Sequence, residues 1–268
     1  MSTLQTHEMR RVRRDVVMRL LEVKRVETLT PHMVRITLTG DALAGFESGA
    51  PDDHVKVFVP PPGHTHPTLP VMTADGPRFA QGVTPSAARD YTPRRYDAAA
   101  NELDIDFVLH GDGPASTWAS QAKPGQWLGV GGPRGSRIVA DDFDTYVLIG
   151  DETALPAIGR WLDEMPAGTR AITIVEVANE DERQPLHSKA DVQRIWLYRN
   201  GEEPGMTTRL EDALRAVEFP EGDTFVWVGA ESRTVRGIRL YLQDERNHNP
   251  DWIKASGYWK RWPDDEDA

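Results

Sequence analysis

"TYVLIGDETALPAIGRWLDEMP", residues 145–166, decides the fold. Its first six residues form a continuous apolar run. The residues after it place apolar side chains at 155, 158, 161, 162 and 165, the spacing of a helix that buries one face. A buried strand running directly into such a helix opens an α/β layer. The alternation continues downstream through "RAITIVEVA" (170–178), "IWLYRNG" (195–201), the helical "MTTRLEDALRAV" (206–217), "DTFVWVGA" (223–230) and the helical "SRTVRGIRLYLQDER" (232–246). Buried strands alternating with helices predict a mainly parallel sheet. The tail, "IKASGYWKRWPDDEDA" (253–268), reads as ending in an acidic, frayed segment.

Upstream the pattern is different. "VVMRLLEVKRVETL" (16–29), "MVRITLTG" (33–40), "HVKVFVP" (54–60), "ELDIDFVLHG" (102–111) and "WLGVGGP" (127–133) are short β-rich runs between Pro, Gly and Asp clusters. They predict an antiparallel barrel or sandwich. The Pro- and Gly-rich stretch 60–88 has no periodicity and reads as one long loop. The chain of 268 residues therefore divides into an N-terminal extension (1–15), a β-barrel domain (16–142), an α/β domain with its tail (143–262) and an acidic terminus (263–268).

A formal net charge of −11 argues against non-specific binding to nucleic acid or anionic lipid, so any basic site is local. The sequence has no cysteine, which excludes disulfides, thiol catalysis and iron–sulfur ligation. No run approaches the ~20 apolar residues of a membrane span. "MSTLQTHEMRRVRRDVVMRL" (1–20) has no apolar stretch long enough for a secretory core, so the cytoplasm is the expected compartment. Strands without a long amphipathic seam point to a monomer.

Within this acidic chain, "AARDYTPRRYD" (87–97) gathers Arg89, Arg94 and Arg95 around Tyr91. A Tyr ring can stack on a flat isoalloxazine, and the Thr92 hydroxyl can bond a ring nitrogen. Arg89, two residues before Tyr91 on an extended strand, points to the same side and can offer a fork of donors to a pyrophosphate. Next, "LHGDGPAS" (109–116) leads from a strand into the short helix "STWASQA" (116–122), a Gly-rich turn whose amides and hydroxyls suit a phosphate. "KPGQWLGVGGPRG" (123–135) then returns to β, so this is no conventional dinucleotide fingerprint. "GDETALP" (150–156) sits where a phosphate-binding turn belongs, yet it has one glycine and two acids that repel phosphate. His64, His66 and His110 have no metal-ligand spacing, and neither H-E-x-x-H nor G-x-S-x-G occurs. A barrel with R-x-Y-T, a Gly–Ser helix start and an α/β half is the layout of a flavin reductase.

The chain resembles the siderophore-interacting protein family, ferric-siderophore reductases related to ferredoxin–NADP⁺ reductases. "HVKVFVP" (54–60), "RDYTPR" (89–94), "DFVLHGDGPASTWA" (106–119), "PGQWLGVGGPRGS" (124–136), "IGDETALPAI" (149–158) and "GYWKR" (257–261) carry the resemblance in order along nearly the whole chain. It implies that Arg89, Tyr91 and Thr92 hold FAD, with Arg89 on phosphate, Tyr91 against the ring and Thr92 near N5. His110, Gly113, Ala115, Ser116 and Thr117 would form the pyrophosphate turn. Asp151, Glu152 and Thr153 would line the nicotinamide side, with Gly229, Ala230 and Glu231 as the late nicotinamide motif. Lys56, Arg134, Lys260 and Arg261 are the matching basic residues for an anionic ferric siderophore. NADPH or NADH would be the reductant, with a reduced ferredoxin as the alternative donor. Arg199, Arg233 and Arg236 either meet a 2′-phosphate or solvate their helices and loops. The other readings of the same residues are a flavin reductase for another acceptor and a ferric-chelate carrier without redox chemistry.

Overall fold

The computed structural model describes residues 7–261, and the counts below refer to these. The acidic terminus 263–268 and residues 1–6 of the expected extension lie outside the described residues. The chain divides into two units, Met1–Ala140 and Asp141–Ala268.

The first unit is antiparallel β. Its strands are β1 (Arg10–Arg13), β2 (Met18–Thr30), β3 (Met33–Thr39), β4 (Val55–Phe58), β5 (Val71–Thr73), β6 (Gly76–Arg78), β7 (Ala88–Tyr91), β8 (Pro93–Asp97), β9 (Glu102–Val108), β10 (Trp127–Gly131) and β11 (Gly135–Ile138), with one helix, α1 (Pro114–Ser120). Seven of them form a sheet in the order β7-β4-β10-β2-β3-β9-β8. Its outermost strands, β7 and β8, are separated in the chain by Thr92 alone, so the sheet curls into a barrel with Thr92 at the seam. Alternate residues point inward: Val55 and Val57 of β4, Ile36 and Leu38 of β3, and Leu103, Ile105 and Phe107 of β9 fill the core.

Two features depart from the sequence reading. The stretch 60–88 contains the hairpin β5–β6. Residues 10–13, within the expected extension, form β1 and pair antiparallel with β11.

The second unit is the predicted α/β layer. Its strands are β12 (Thr145–Asp151), β13 (Arg170–Val177), β14 (Asp191–Tyr198), β15 (Thr224–Glu231) and β16 (Ile253–Trp259), all parallel, in the order β14-β13-β12-β15-β16. Helices α2 (Leu155–Glu164), α3 (Arg209–Ala216) and α4 (Ser232–Leu240) complete it. The strand β16 comes from the segment read as a tail. The chain adds β13 and β14 on one side of β12 and then crosses to β15 on the other. That reversal puts the topological switch point, where open α/β sheets bind ligands, at the carboxyl ends of β12 and β15. The floor there is tight: a Cβ on Gly150 would lie 2.4 Å from Ala154 Cβ and 2.5 Å from the Gly229 carbonyl oxygen.

Candidate functional site

The three arginines of residues 87–97 separate in the structure. Arg95, on β8, bonds Asp104 Oδ2 at 2.7 Å, Glu102 Oε2 at 2.7 Å and Asp97 Oδ2 at 3.0 Å. These contacts, led by Asp104, raise its pKa further. Glu102 also takes Lys24 and Arg25, and hydrogen bonds from Arg25, Lys24 and Arg95 hold its carboxyl down to about 2. Arg95 is thus a structural tie between β8 and β9. Arg89, on β7, is exposed, and among the described residues it bonds only its neighbour, the Ala88 carbonyl, at 2.8 Å. Most of its fork remains available.

Tyr91 lies two residues further along β7. Its ring is half-buried and backed by Phe107 at 4.4 Å between centroids, with Trp118 of α1 at 6.0 Å behind Phe107. Burial pushes its phenol up to about 12, opposed by the charge of Arg89. Thr92, at the seam, is 7 % exposed, and its hydroxyl has no partner among the described residues. In the turn after β9, Ser116 is buried and its Oγ accepts the His110 amide at 2.8 Å, which closes 110–116 into a loop. Gly111 adopts φ +47°, which favours glycine. The amides of Ala115 and Ser116 at the start of α1 have no acceptor among the described residues, and Thr117 is exposed beside them.

The expected chelate-binding cations are held differently from one another. Lys56 of β4 is opposite Asp90 of β7 and Gly131 of β10, and its Nζ lies 2.8 Å from Asp90 Oδ1. The pleat puts this pair on the sheet face opposite Arg89 and Tyr91. Arg134 is exposed, three residues beyond Gly131. In the other unit Lys260 is exposed just past β16, while Arg261 Nη1 bonds the Pro204 carbonyl at 2.7 Å.

The switch point is filled by the chain's own carboxylates. Asp151, only 6 % exposed, accepts the Thr153 amide at 2.9 Å and the Thr153 hydroxyl on Oδ1. Its Oδ2 accepts the Glu231 amide at 3.1 Å and the Trp259 indole N–H at 2.8 Å. Burial first, then the charge of Glu152, pushes its carboxyl up to about 6, against the hydrogen bonds from Thr153 and Trp259. Glu231 caps α4 by accepting the amides of Arg233 at 2.6 Å and Thr234 at 3.1 Å. Arg199, 3 % exposed, forks onto Glu152 and lies 3.5 Å from Glu176. The structure therefore gives Arg199 neither of its expected roles: it is a buried counter-ion, and it neither meets solvent nor remains open to a 2′-phosphate.

Residues 22–137 match the siderophore-interacting FAD-binding domain and residues 143–262 match the siderophore-interacting protein domain. The chain is 35% identical over 252 residues to the NADPH-dependent ferric-chelate reductase of Escherichia coli (strain K12), covering 93% of this chain and 95% of that protein. The chain belongs to the siderophore-interacting protein family. Within that family it is also 32% identical to the ferric vibriobactin reductase ViuB of Vibrio cholerae, over 92% of this chain and 91% of that one. A siderophore utilization protein from T. fusca has the same fold with a TM-score of 0.89 and 40% identity, covering 97% of this chain and 99% of that one.

As a siderophore-interacting protein the chain binds FAD, and the donor set of the barrel fits that group. A half-buried aromatic ring, an exposed guanidinium, a hydroxyl without a partner and two amides without acceptors offer stacking and hydrogen bonds to a flat, anionic dinucleotide. Sequence reasoning missed the layer behind Tyr91, because Phe107 and Trp118 are ordinary apolar residues until the fold stacks them. It also missed Trp259 as a partner of Asp151, 108 positions away. The motif "GYWKR" contained that tryptophan, but nothing in its spacing indicated the acceptor.

Proposed function

We propose that this protein is an FAD-dependent reductase of ferric siderophores that releases Fe(II) in the cytoplasm, with NADPH or NADH as the electron source. Arg89 with most of its fork available, Tyr91 backed by Phe107 and Thr92 at the seam, beside an Arg95 fully committed to β9, carry the reading. The FAD that Arg89, Tyr91 and Thr92 would hold would supply hydride acceptance from the nicotinamide and one-electron transfer to two ferric ions. The balance is one NAD(P)H and two Fe(III) chelates giving NAD(P)⁺, a proton and two Fe(II). The lower charge of Fe(II) weakens its hold on hard oxygen ligands, and the metal leaves.

The chain's own residues bind and orient. Tyr91, stiffened by Phe107, supplies a neutral stacking face. Arg89 and the 110–117 turn take the phosphates, and Thr92 bonds the ring edge. Lys56, Arg134 and Lys260 offset the repulsion that a net charge of −11 exerts on an anionic chelate. Lys56 reaches this role by exchanging partners. Its ion pair with Asp90 is half exposed, 53% and 52% at the two side chains, and such pairs contribute about 0.2–1 kcal/mol. Asp151, Glu152 and Glu231 leave little room for a pyrophosphate at the switch point, so the nicotinamide donor is held with modest affinity.

The test is an anaerobic absorbance titration of the purified holoprotein. Flavin bands that bleach with NADPH or NADH and return on adding a ferric siderophore, with Fe(II) trapped by a ferrous chelator, are expected. Bleaching by dithionite alone, followed by return with the chelate, would replace the nicotinamide by a protein donor such as a ferredoxin. Failure of the reduced protein to reduce any ferric chelate would refute the proposal.

A further inference from the structure

We infer that Asp151, Glu231 and Ser232 form a positioning device for Lys260, acting through the two residues that flank it. The inference rests on the reading of Lys260 as a contact for the ferric chelate. A lysine is a point charge on a flexible four-carbon stem, so where its charge can go is decided by how firmly its backbone is held. Lys260 follows the last residue of β16, an edge strand paired only with β15, and the end of an edge strand frays unless it is tied down.

Here it is tied on both sides. Before Lys260, Trp259 donates its indole N–H to Asp151 Oδ2 at 2.8 Å, and its carbonyl accepts the Ser232 hydroxyl at 3.0 Å. After it, the Arg261 amide donates to Glu231 Oε1 at 3.4 Å, and the Arg261 guanidinium reaches the Pro204 carbonyl at 2.7 Å and Glu203 at 3.7 Å. The anchors come from the end of β12, the β15–α4 junction and the 203–204 loop, so the segment is fixed against three elements at once. The register agrees. Ala230 pairs with Gly257 and Glu231 with Trp259, which makes Tyr258 the extra residue of a bulge. A bulge re-aims the side chains that follow it. A Cβ at Gly257 would lie 2.4 Å from Ser232 Oγ and push away the hydroxyl that holds the Trp259 carbonyl.

Asp151 is therefore a positioning residue toward the iron substrate, and the donors around its carboxylate leave it little to offer a nucleotide. The concentration of anchors on residues 259 and 261, with Lys260 exposed between them, is what a positioned charge requires.

A double-mutant cycle on the FAD-loaded full chain tests this, using Trp259→Phe, Lys260→Ala and the pair. The probes are an anionic ferric tris-catecholate and an uncharged ferric tris-hydroxamate. Trp259→Phe keeps the ring and removes the N–H donor. It should raise KM for the anionic chelate about fivefold with kcat within twofold, leave KM for the uncharged one within twofold, and add nothing in the Lys260→Ala background. Equal losses with both chelates, or additive losses in the double variant, would mean that Trp259 only stabilises the fold and would overturn the inference. An unchanged KM in Lys260→Ala alone would instead remove the reading of Lys260 on which it rests. Should Trp259→Phe fail to fold, Ser232→Ala, which removes the bond to the Trp259 carbonyl, is read by the same cycle.

Discussion

Arg199 places both terminal nitrogens of its guanidinium on the carboxylate of Glu152, at 2.7 and 2.6 Å, inside the α/β unit. Removing one partner of a buried ion pair leaves an uncompensated charge and costs about 3–5 kcal/mol. Arg199→Ala leaves two, Glu152 and Glu176. Urea denaturation at pH 7 is expected to show a loss in that range. Equal stability of the variant at pH 7 would show that the network contributes nothing.

Arg89 and Arg95 are expected to fail in opposite ways. Arg89→Ala should leave the melting temperature of the apoprotein unchanged and weaken FAD binding about 10–100-fold, the loss of one or two charge-assisted hydrogen bonds. Arg95→Ala should lower the melting temperature, because Asp104 and Glu102 lose their shared cation, and retain FAD in the protein that remains folded. Flavin absorbance against protein concentration, read with a thermal melt, separates the two.

Asp151 gives a pH dependence whose sign follows from its raised pKa. The native state holds this proton up to about pH 6, whereas the unfolded carboxyl releases it near 3.8. Its contribution to stability is therefore complete below pH 3.8 and is lost as pH rises through 6, by as much as about 3 kcal/mol. The difference in unfolding free energy between the native protein and Asp151→Asn should change across pH 4–6 and be flat above 7. A flat difference throughout would place the Asp151 pKa at its ordinary value.

On the proposed reading of Lys56 as a chelate contact, Asp90, 2.8 Å from its Nζ, competes with the substrate for it. Asp90→Asn is expected to lower KM for an anionic ferric chelate about two- to fourfold, in keeping with a half-exposed pair worth under about 1 kcal/mol. KM for an uncharged chelate should not move. Steady-state rates with the two chelates check this, and a raised KM for the anionic one would mean that Asp90 holds Lys56 in its working position.

Much of the fold could be read from the sequence because its signals are local. The apolar run 145–150 and the helical spacing after it are β12 and α2, and the alternation of 33–39 and 102–108 is β3 and β9. The strand β16 could not be read this way, since Lys254, Ser256 and Gly257 interrupt its apolar pattern and only β15 makes it a strand. Nor could the sequence tell Arg89 from Arg95. The difference depends on the β8–β9 register, with its irregularity between Pro93 and Arg95, which sets Arg95 opposite Asp104. The candidate flavin residues were assigned by motif, whereas the acceptors of Trp259 and Arg199 lie in segments distant in sequence, and only the sheet order brings them close.

The seam at Thr92 also bears on the order of assembly. The strands β7 and β8 are adjacent in the chain but lie at opposite ends of a seven-strand ladder, each paired on one side only. β8 meets β9 in a local hairpin across residues 98–101, whereas β7 reaches β4 only across residues 59–87, so the seam at Thr92 joins a short-range pairing to a long-range one. The stretch proposed to receive the flavin lies on this seam, and amide exchange at residues 88–92 is expected to slow when FAD is loaded.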